Sequence, residues 1–279
     1  MAGKMVKWDC YDIRKFATDK IGTFIDIGAG MGDTCVMPLM IMPQVRVIGF
    51  EVSEKPWNQL QKTCEIWGGA GVEVHRAGIA SHSPIFIDNN SNSASNPLPE
   101  ATEENHTQVD GYKLTEMFSE FDVDTSKPYI IKCDCEGGEK AIIDEGQPAL
   151  DIAKGATQLM WEMHPGLGGG TGEEWKPFFD ELYKTHELRW GNWYKKNNPD
   201  EAKYIWVPFK DYGKLCPPGA GKFLCVNAVS REWMKDRLDR GIPETDWFAW
   251  TKEYMPNWYA GVEEEPELFS DDLIKCSTR

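Results

Sequence analysis

The stretch Phe24-Ile25-Asp26-Ile27-Gly28-Ala29-Gly30-Met31-Gly32 joins a short apolar run to three glycines spaced two residues apart. The apolar run predicts a buried β-strand, and the glycines predict a tight turn, because glycine adopts positive φ and lets a ligand approach the backbone. A helical pattern follows from Asp33 to Met42, which would aim its first free N–H groups toward the turn. A strand, a glycine turn and a helix in this order are typical of α/β folds that bind nucleotide-like ligands.

Strands and helices alternate along the chain beyond this turn, which predicts a parallel sheet covered by helices. After Thr23 to Ile27 come six further predicted strands: Val45 to Phe50, Val72 to Ala80, Tyr129 to Cys135, Thr157 to Met163, Glu187 to Tyr194, and Phe223 to Val229. The predicted fold class is therefore α/β, with a Rossmann-like, mostly parallel seven-stranded sheet and helices on both faces. We predict one such domain over residues 1–230 and an aromatic, acidic and helical C-terminal appendage over residues 231–279.

Composition narrows the classes of protein. A formal net charge of -15 over 279 residues disfavours binding to the phosphate backbone of a nucleic acid. No apolar run approaches the roughly 20 residues of a membrane span, and the N-terminus has no apolar signal core. The eight scattered cysteines suit a reducing compartment. We therefore expect a cytoplasmic protein that acts neither on nucleic acid nor at a membrane.

An acidic residue at the end of the second strand suggests what the glycine turn binds. Glu51 follows Val47-Ile48-Gly49-Phe50 at the distance from the turn where a carboxylate can accept both hydroxyls of a ribose. Asp33 stands where a dinucleotide-binding fingerprint has its third glycine, and its charge would oppose a pyrophosphate. The plainer alternative is that Glu51 is a solvated residue and that the glycines serve only the turn.

A second group of polar residues is predicted to lie at the carboxyl ends of the fourth and fifth strands. Lys132, Asp134 and Glu136 share one side of the segment Tyr129 to Glu139, because side chains alternate along a strand. Glu162 and His164 lie at the end of the fifth strand, and ligands of open α/β sheets bind at such strand ends. His186 lies outside any motif and is predicted to be in a loop or at the surface.

Taken together, these motifs closely resemble FkbM-type methyltransferases, with Lys132, Asp134, Glu136, Gly137 and Glu139 matching a Lys-x-Asp-x-Glu-Gly-x-Glu signature. Ile25-Asp26-Ile27-Gly28-Ala29, Gly49-Phe50-Glu51 and Trp161-Glu162-Met163-His164 match in the same order, over residues 21–190. Gly30 replaces the asparagine usual after Gly-Ala in that family. The resemblance implies a class I methyltransferase fold, S-adenosylmethionine (SAM) as cofactor, and O-methylation of a hydroxyl on a sugar or natural product.

These considerations assign two sets of site residues. The predicted cofactor-binding residues are Asp26, Gly28, Ala29, Gly30, Gly32 and Glu51. The predicted acceptor-side, catalytic residues are Asp134, Glu136, Glu162 and His164, with His164 or one of the carboxylates as the base. The expected partner is a small-molecule or glycan acceptor, and the oligomeric state is left open.

Several alternatives stay open at this stage. Asp134, Glu136, Glu162 and His164 could hold Mg²⁺ or another divalent ion. Lys132 and Glu139 are predicted to form a structural ion pair at the strand-helix turn, and Cys133 and Cys135 are predicted to be packed thiols rather than zinc ligands. Two other functions compete with methyl transfer: a catalytically inactive SAM-binding or scaffold protein of the same fold, and an NAD-dependent oxidoreductase.

Overall fold

The computed structural model describes residue 13 and residues 20–67, 71–88, 106–164, 167–194, 203–208 and 224–239. The strands are β1 Thr23–Ile27, β2 Arg46–Phe50, β3 Val72–His75, β4 Ala77–Ile79, β5 Ile85–Asp88, β6 His106–Tyr112, β7 Tyr129–Cys133, β8 Gln158–Met163, β9 His186–Tyr194, β10 Lys203–Pro208 and β11 Leu224–Ser230. The helices are α1 Asp33–Ile41, α2 Glu54–Trp67, α3 Leu114–Glu120, α4 Glu139–Glu145, α5 Gln147–Gly155, α6 Gly172–Tyr183 and α7 Arg231–Asp239.

The main sheet has the strand order β10-β9-β11-β8-β7-β1-β2-β3. Strands β3, β2, β1, β7 and β8 are parallel, whereas β11 runs antiparallel to both β8 and β9. If β10 and the small sheet are left out and the seven remaining strands are renumbered 1 to 7 along the chain, their order is 3-2-1-4-5-7-6. The seventh strand, β11, is reversed. This is the predicted Rossmann-like class I methyltransferase fold. The sequence missed β10, which adds an eighth strand by antiparallel pairing with β9.

Helices cover both faces of this sheet, as predicted. On one face, side chains of α3 to α6 pack with inward residues of β1, β2, β7 and β8 around Trp161 and Trp175. On the other face, Cys35 of α1, Leu60 of α2 and Trp233 of α7 belong to one buried cluster. The first helix of the predicted appendage therefore packs on the sheet, and residues 240–279 lie outside the described part of the chain.

The predicted third strand, Val72 to Ala80, is divided in the structure. β3 pairs with β2 in the main sheet, whereas β4 pairs with β6 in a separate three-stranded sheet of order β4-β6-β5. The sequence pattern does not show this break, because the break depends on pairing with residues 106–112, about 30 positions away along the chain. No helix in the described ranges is long and apolar enough to cross a membrane.

Candidate active site

The glycine turn between β1 and α1 requires glycine for steric reasons. Gly28 has φ 77°, and a Cβ at this position would lie 1.8 Å from the backbone oxygen of Asp134. The N–H groups of Gly28 and Ala29 both donate to the carbonyl oxygen of Phe50, at 2.9 and 2.8 Å. The turn is thus held between the carboxyl ends of β2 and β7, where the strand order reverses.

Glu51 lies against this turn. Its carboxylate accepts a hydrogen bond from the N–H of Gly30 at 2.9 Å through Oε2, and one from the N–H of Ser53 at 2.7 Å through Oε1. Glu51 is buried, and this burial raises the pKa of its carboxyl despite the two backbone donors. A Cβ added at Gly30, where φ is 55°, would meet no atom within 4 Å, so the turn faces open space beside Glu51.

Asp26 is enclosed by protein. Thr34 Oγ1 and Cys35 Sγ donate to its Oδ2, and Lys132 Nζ lies 3.1 Å from its Oδ1. Neither Asp26 nor Lys132 is more than 2% exposed. This geometry favours an indirect role for Asp26, which holds the turn through Lys132, over the predicted direct contact with a cofactor.

The predicted ion pair between Lys132 and Glu139 is wrong. Lys132 Nζ instead pairs with Asp26 and Asp134 and donates to the carbonyl oxygen of Gly28 at 2.6 Å. Burial disfavours the ammonium, but the charges of Asp26 and Asp134 outweigh burial and raise the pKa of Lys132. The sequence pattern showed that Lys132 and Glu139 were close along the chain, but not that Lys132 points toward β1.

Glu139 has a different partner, His164. The fully buried Glu139 carboxylate accepts from the N–H groups of Cys135 at 3.1 Å and Gly137 at 2.9 Å, and Oε1 lies 2.9 Å from His164 Nδ1. Because an ionised carboxylate only accepts, Nδ1 carries the proton. Burial opposes a charge on the ring, but the bond to Glu139 and the charges of Asp134 and Glu136 raise the pKa of His164 to about 9.

The four predicted acceptor-side residues converge in the structure. His164 Nε2 lies 3.8 Å from Asp134 Oδ1 and 3.7 Å from Glu136 Oε2. One ligand atom each from Asp134, Glu162 and His164 lies within 4.8 Å of the others, so these three residues could hold a metal ion. Asp134 and Glu136 are partly exposed, which leaves the group accessible from one side.

Glu136 has an unusual backbone for a residue with a side chain. Its φ is 50°, in the left-handed region, at the turn between β7 and α4. Such a conformation costs about 1–3 kcal/mol and is concentrated at functional sites. Burial, together with the neighbouring charges of Asp134 and Glu139, raises the pKa of the Glu136 carboxyl, while His164 opposes the rise. Glu136 is therefore better suited to accept a proton than an ordinary surface glutamate.

Two supporting residues were missed by the sequence analysis. Thr34 donates to Asp26, and a polar residue at the second position of the helix after the glycines could have indicated such a contact. Gly169 lies in the glycine-rich segment after β8, where a Cβ would stand 2.7 Å from Glu139 Oε2 and 2.8 Å from the oxygen of His164. No local pattern in the sequence indicated that Gly169 lies this close to Glu139.

The two neighbouring cysteines are packed thiols, as the sequence predicted. Cys133 and Cys135 are free, with their sulfurs 3.4 Å apart. Burial raises the pKa of Cys133, and the contact with Cys133, together with burial, raises the pKa of Cys135, so both favour the neutral thiol. Neither belongs to the group of candidate metal ligands found among the described residues.

No protein-family model matches the chain, and no curated protein sequence matches it. Its fold is similar to that of precorrin-6y C5,15-methyltransferase from Geobacter metallireducens, at 10% identity and a TM-score of 0.38, over 82% of this chain and 88% of that one. A candidate methyltransferase from Streptococcus mutans, solved in complex with SAH, is 12% identical with a TM-score of 0.42, over 78% and 94% of the two chains. A human methyltransferase 10 domain containing protein is 12% identical with a TM-score of 0.39, over 82% and 81%. At these values the likeness assigns no activity, and the fold assignment depends on the strand order.

Proposed function

We propose that this protein is a SAM-dependent methyltransferase that methylates a hydroxyl group of a sugar, a glycan or a small natural product. The observation that carries the proposal is the buried Glu51 carboxylate, bonded to the N–H of Gly30 inside the glycine turn. This pair lies at the carboxyl end of β2, beside the point where the strand order reverses, and ligands of open α/β sheets bind there. The resemblance to FkbM-type methyltransferases supports the same cofactor.

The residues at this position fit SAM. Each Glu51 oxygen accepts one backbone N–H and retains a lone pair for a ribose hydroxyl. The open space at Gly30 leaves room for a ligand beside the turn. When bound, SAM would supply an electrophilic methyl group on a positively charged sulfur. Asp134, partly exposed at the end of β7, contributes negative charge on the acceptor side of the turn.

The acceptor proton requires a base, and the structure favours a carboxylate over His164. With no cation bound, the pKa of about 9 keeps both nitrogens of the His164 ring protonated at neutral pH, so the ring does not accept the hydroxyl proton. Glu136 is accessible and its pKa is raised. In the proposed step Glu136 would take the proton of the acceptor hydroxyl, while bound SAM would supply the methyl group to that oxygen and keep the electron pair on its sulfur.

The residue at the start of α1 argues against the NAD-dependent oxidoreductase alternative. A pyrophosphate would approach the free N–H groups of a helix N-terminus, and Asp33 is the first residue of this helix. A fixed negative charge there repels phosphate. The inactive scaffold is distinguished by experiment, since it would bind SAM without consuming it.

The test has two steps. In the first, the melting temperature of the full chain is measured with SAM, SAH, NAD⁺ and NADH, and we expect SAM and SAH alone to raise it. In the second, SAM consumption is followed with a panel of sugars, glycosylated metabolites and hydroxylated acids, with and without Mg²⁺. Stabilisation by NADH alone would overturn the proposal, and SAM binding without turnover on any acceptor would favour the scaffold.

A further inference from the structure

We infer that Asp134, Glu162 and His164 form a binding site for one divalent cation of the Mn²⁺ and Mg²⁺ class. Their ligand atoms lie within 4.8 Å of one another, and His164 Nε2 is 3.8 Å from Asp134 Oδ1. Two ligands of one such ion stand at most about 4.2 Å apart, because each bond is about 2.1 Å long. Adjacent ligands stand closer still, at about 3 Å, so Asp134 Oδ1 and His164 Nε2 need to approach each other by a little under 1 Å, which the partly exposed Asp134 side chain can do by rotating.

The orientation of His164 distinguishes this group from a surface cluster of acidic residues. Its side chain is 5% exposed, and Nδ1 donates to the fully buried Glu139. Glu139 is itself fixed by the N–H groups of Cys135 and Gly137. An imidazole whose Nδ1 donates to a buried carboxylate presents Nε2 as a ligand once a cation displaces the Nε2 proton, and metal-binding histidines are usually held in this way. Here the other nitrogen, Nε2, faces Asp134.

The ligand set indicates the class of ion. Two carboxylates and one imidazole suit a cation that prefers oxygen and accepts one nitrogen, and Mn²⁺ meets both conditions. The partial exposure of Asp134 leaves room for further ligands, such as water or an acceptor oxygen. Glu136, which the sequence included among the candidate ligands, is not part of this group. It stays available to accept a proton.

The site also suggests what the ion does, and this part of the inference rests on the proposed methyl transfer. An acceptor with two adjacent hydroxyls could place both oxygens on the cation, which lowers the pKa of the hydroxyl that is methylated. Glu136 would then remove a proton that is already loosely held. The acceptor class that fits best is therefore a vicinal diol, as in a sugar or a catechol-like ring.

The test measures Mn²⁺ binding to the full chain in the absence of SAM, by electron paramagnetic resonance titration. We expect one ion per chain, and pulsed measurements on the wild-type complex should show coupling to an imidazole nitrogen. Asp134→Asn, Glu162→Gln and His164→Gln should each weaken binding at least 10-fold, and His164→Gln should remove the nitrogen coupling. Glu139→Gln should weaken binding about 10- to 100-fold while leaving the ligands in place.

Asp144→Asn is the matched control, because Asp144 is an exposed α4 carboxylate paired with Lys140, outside the site. Stoichiometric binding without nitrogen coupling would overturn the inference, as would equal weakening by Asp144→Asn and Asp134→Asn. If a site variant fails to fold, the coupling between Mn²⁺ and the imidazole nitrogen in the wild-type protein still decides the test. Because SAM is absent, failure here leaves the proposed function standing, and failure of SAM binding leaves the metal site standing.

Discussion

Lys132 and Asp26 form an ion pair in the interior of the protein, with Nζ 3.1 Å from Oδ1 and neither side chain more than 3% exposed. The same ammonium donates to the carbonyl oxygen of Gly28 at 2.6 Å. A charge from β7 therefore fixes both the end of β1 and the first residue of the glycine turn. The pair couples the stability of the sheet to the shape of the turn.

We expect Lys132→Met to lower the free energy of unfolding by about 3–5 kcal/mol, because it leaves the Asp26 carboxylate buried without its counter-charge. Urea denaturation at neutral pH measures this. The double variant Lys132→Met, Asp26→Asn removes both charges and should recover a large part of the loss. A single variant as stable as the wild type would show that the ion pair does not contribute.

The turn and the acid beside it give a second prediction. Glu51→Ala should weaken SAM binding by about 2–4 kcal/mol, since two charge-assisted bonds to the ribose are lost. Calorimetry measures the affinity directly. Glu54→Ala is the control, because Glu54 is the exposed first residue of α2, with 58% of its side chain accessible, and should bind SAM as the wild type does. Unchanged affinity in Glu51→Ala would remove Glu51 from the site.

The sequence predicted the parts of this fold that depend on local patterns. The buried apolar strands and the glycine turn after β1 were predicted correctly, because hydrophobic periodicity and the conformation of glycine depend on only a few neighbouring residues. The eighth strand, the division of residues 72–80 and helix α5 were missed. α5 follows α4 directly, and only Gly146, at φ 72°, separates the two helices.

The sequence likewise predicted one part of the site and not the other. The sequence placed Asp134, Glu136, Glu162 and His164 at neighbouring strand ends, because parallel strands bring their carboxyl ends to one edge. It paired Glu139 with Lys132, whereas the structure pairs it with His164. That choice depends on where each side chain points after β7 has been placed between β1 and β8, and such three-dimensional packing leaves no signature in the spacing.

Glu136 provides a third prediction, about the chemical step. Glu136→Gln should lower turnover by about 100-fold or more, because the amide cannot accept the hydroxyl proton. SAM affinity should stay close to that of the wild type, since Glu51 and the turn are unchanged. Turnover of the wild type should rise with pH as Glu136 loses its proton, and turnover of the variant should not show this rise. A variant with wild-type turnover would assign the base to another residue.

The last prediction concerns His186, which the sequence wrongly placed in a loop or at the surface. The residue is fully buried at the start of β9, where Nε2 donates to the carbonyl oxygen of Ala156 at 2.9 Å. Nδ1 therefore accepts from the hydroxyl of Thr185, at 2.9 Å. Burial disfavours the charged ring and lowers the pKa of His186 to about 4, although the Ala156 carbonyl opposes the shift.

Since the folded pKa lies below the usual 6.5, the unfolded chain binds the proton first as the solution is acidified. The stability that His186 contributes is complete above pH 6.5 and is lost as the pH falls from 6.5 toward 4, by about 3 kcal/mol. His186→Gln retains an N–H donor for Ala156 without titrating. Denaturant unfolding at several pH values should give a smaller loss of stability between pH 7 and pH 4.5 in this variant than in the wild type. Identical slopes would mean that the His186 ring takes up its proton equally in the folded and unfolded chain.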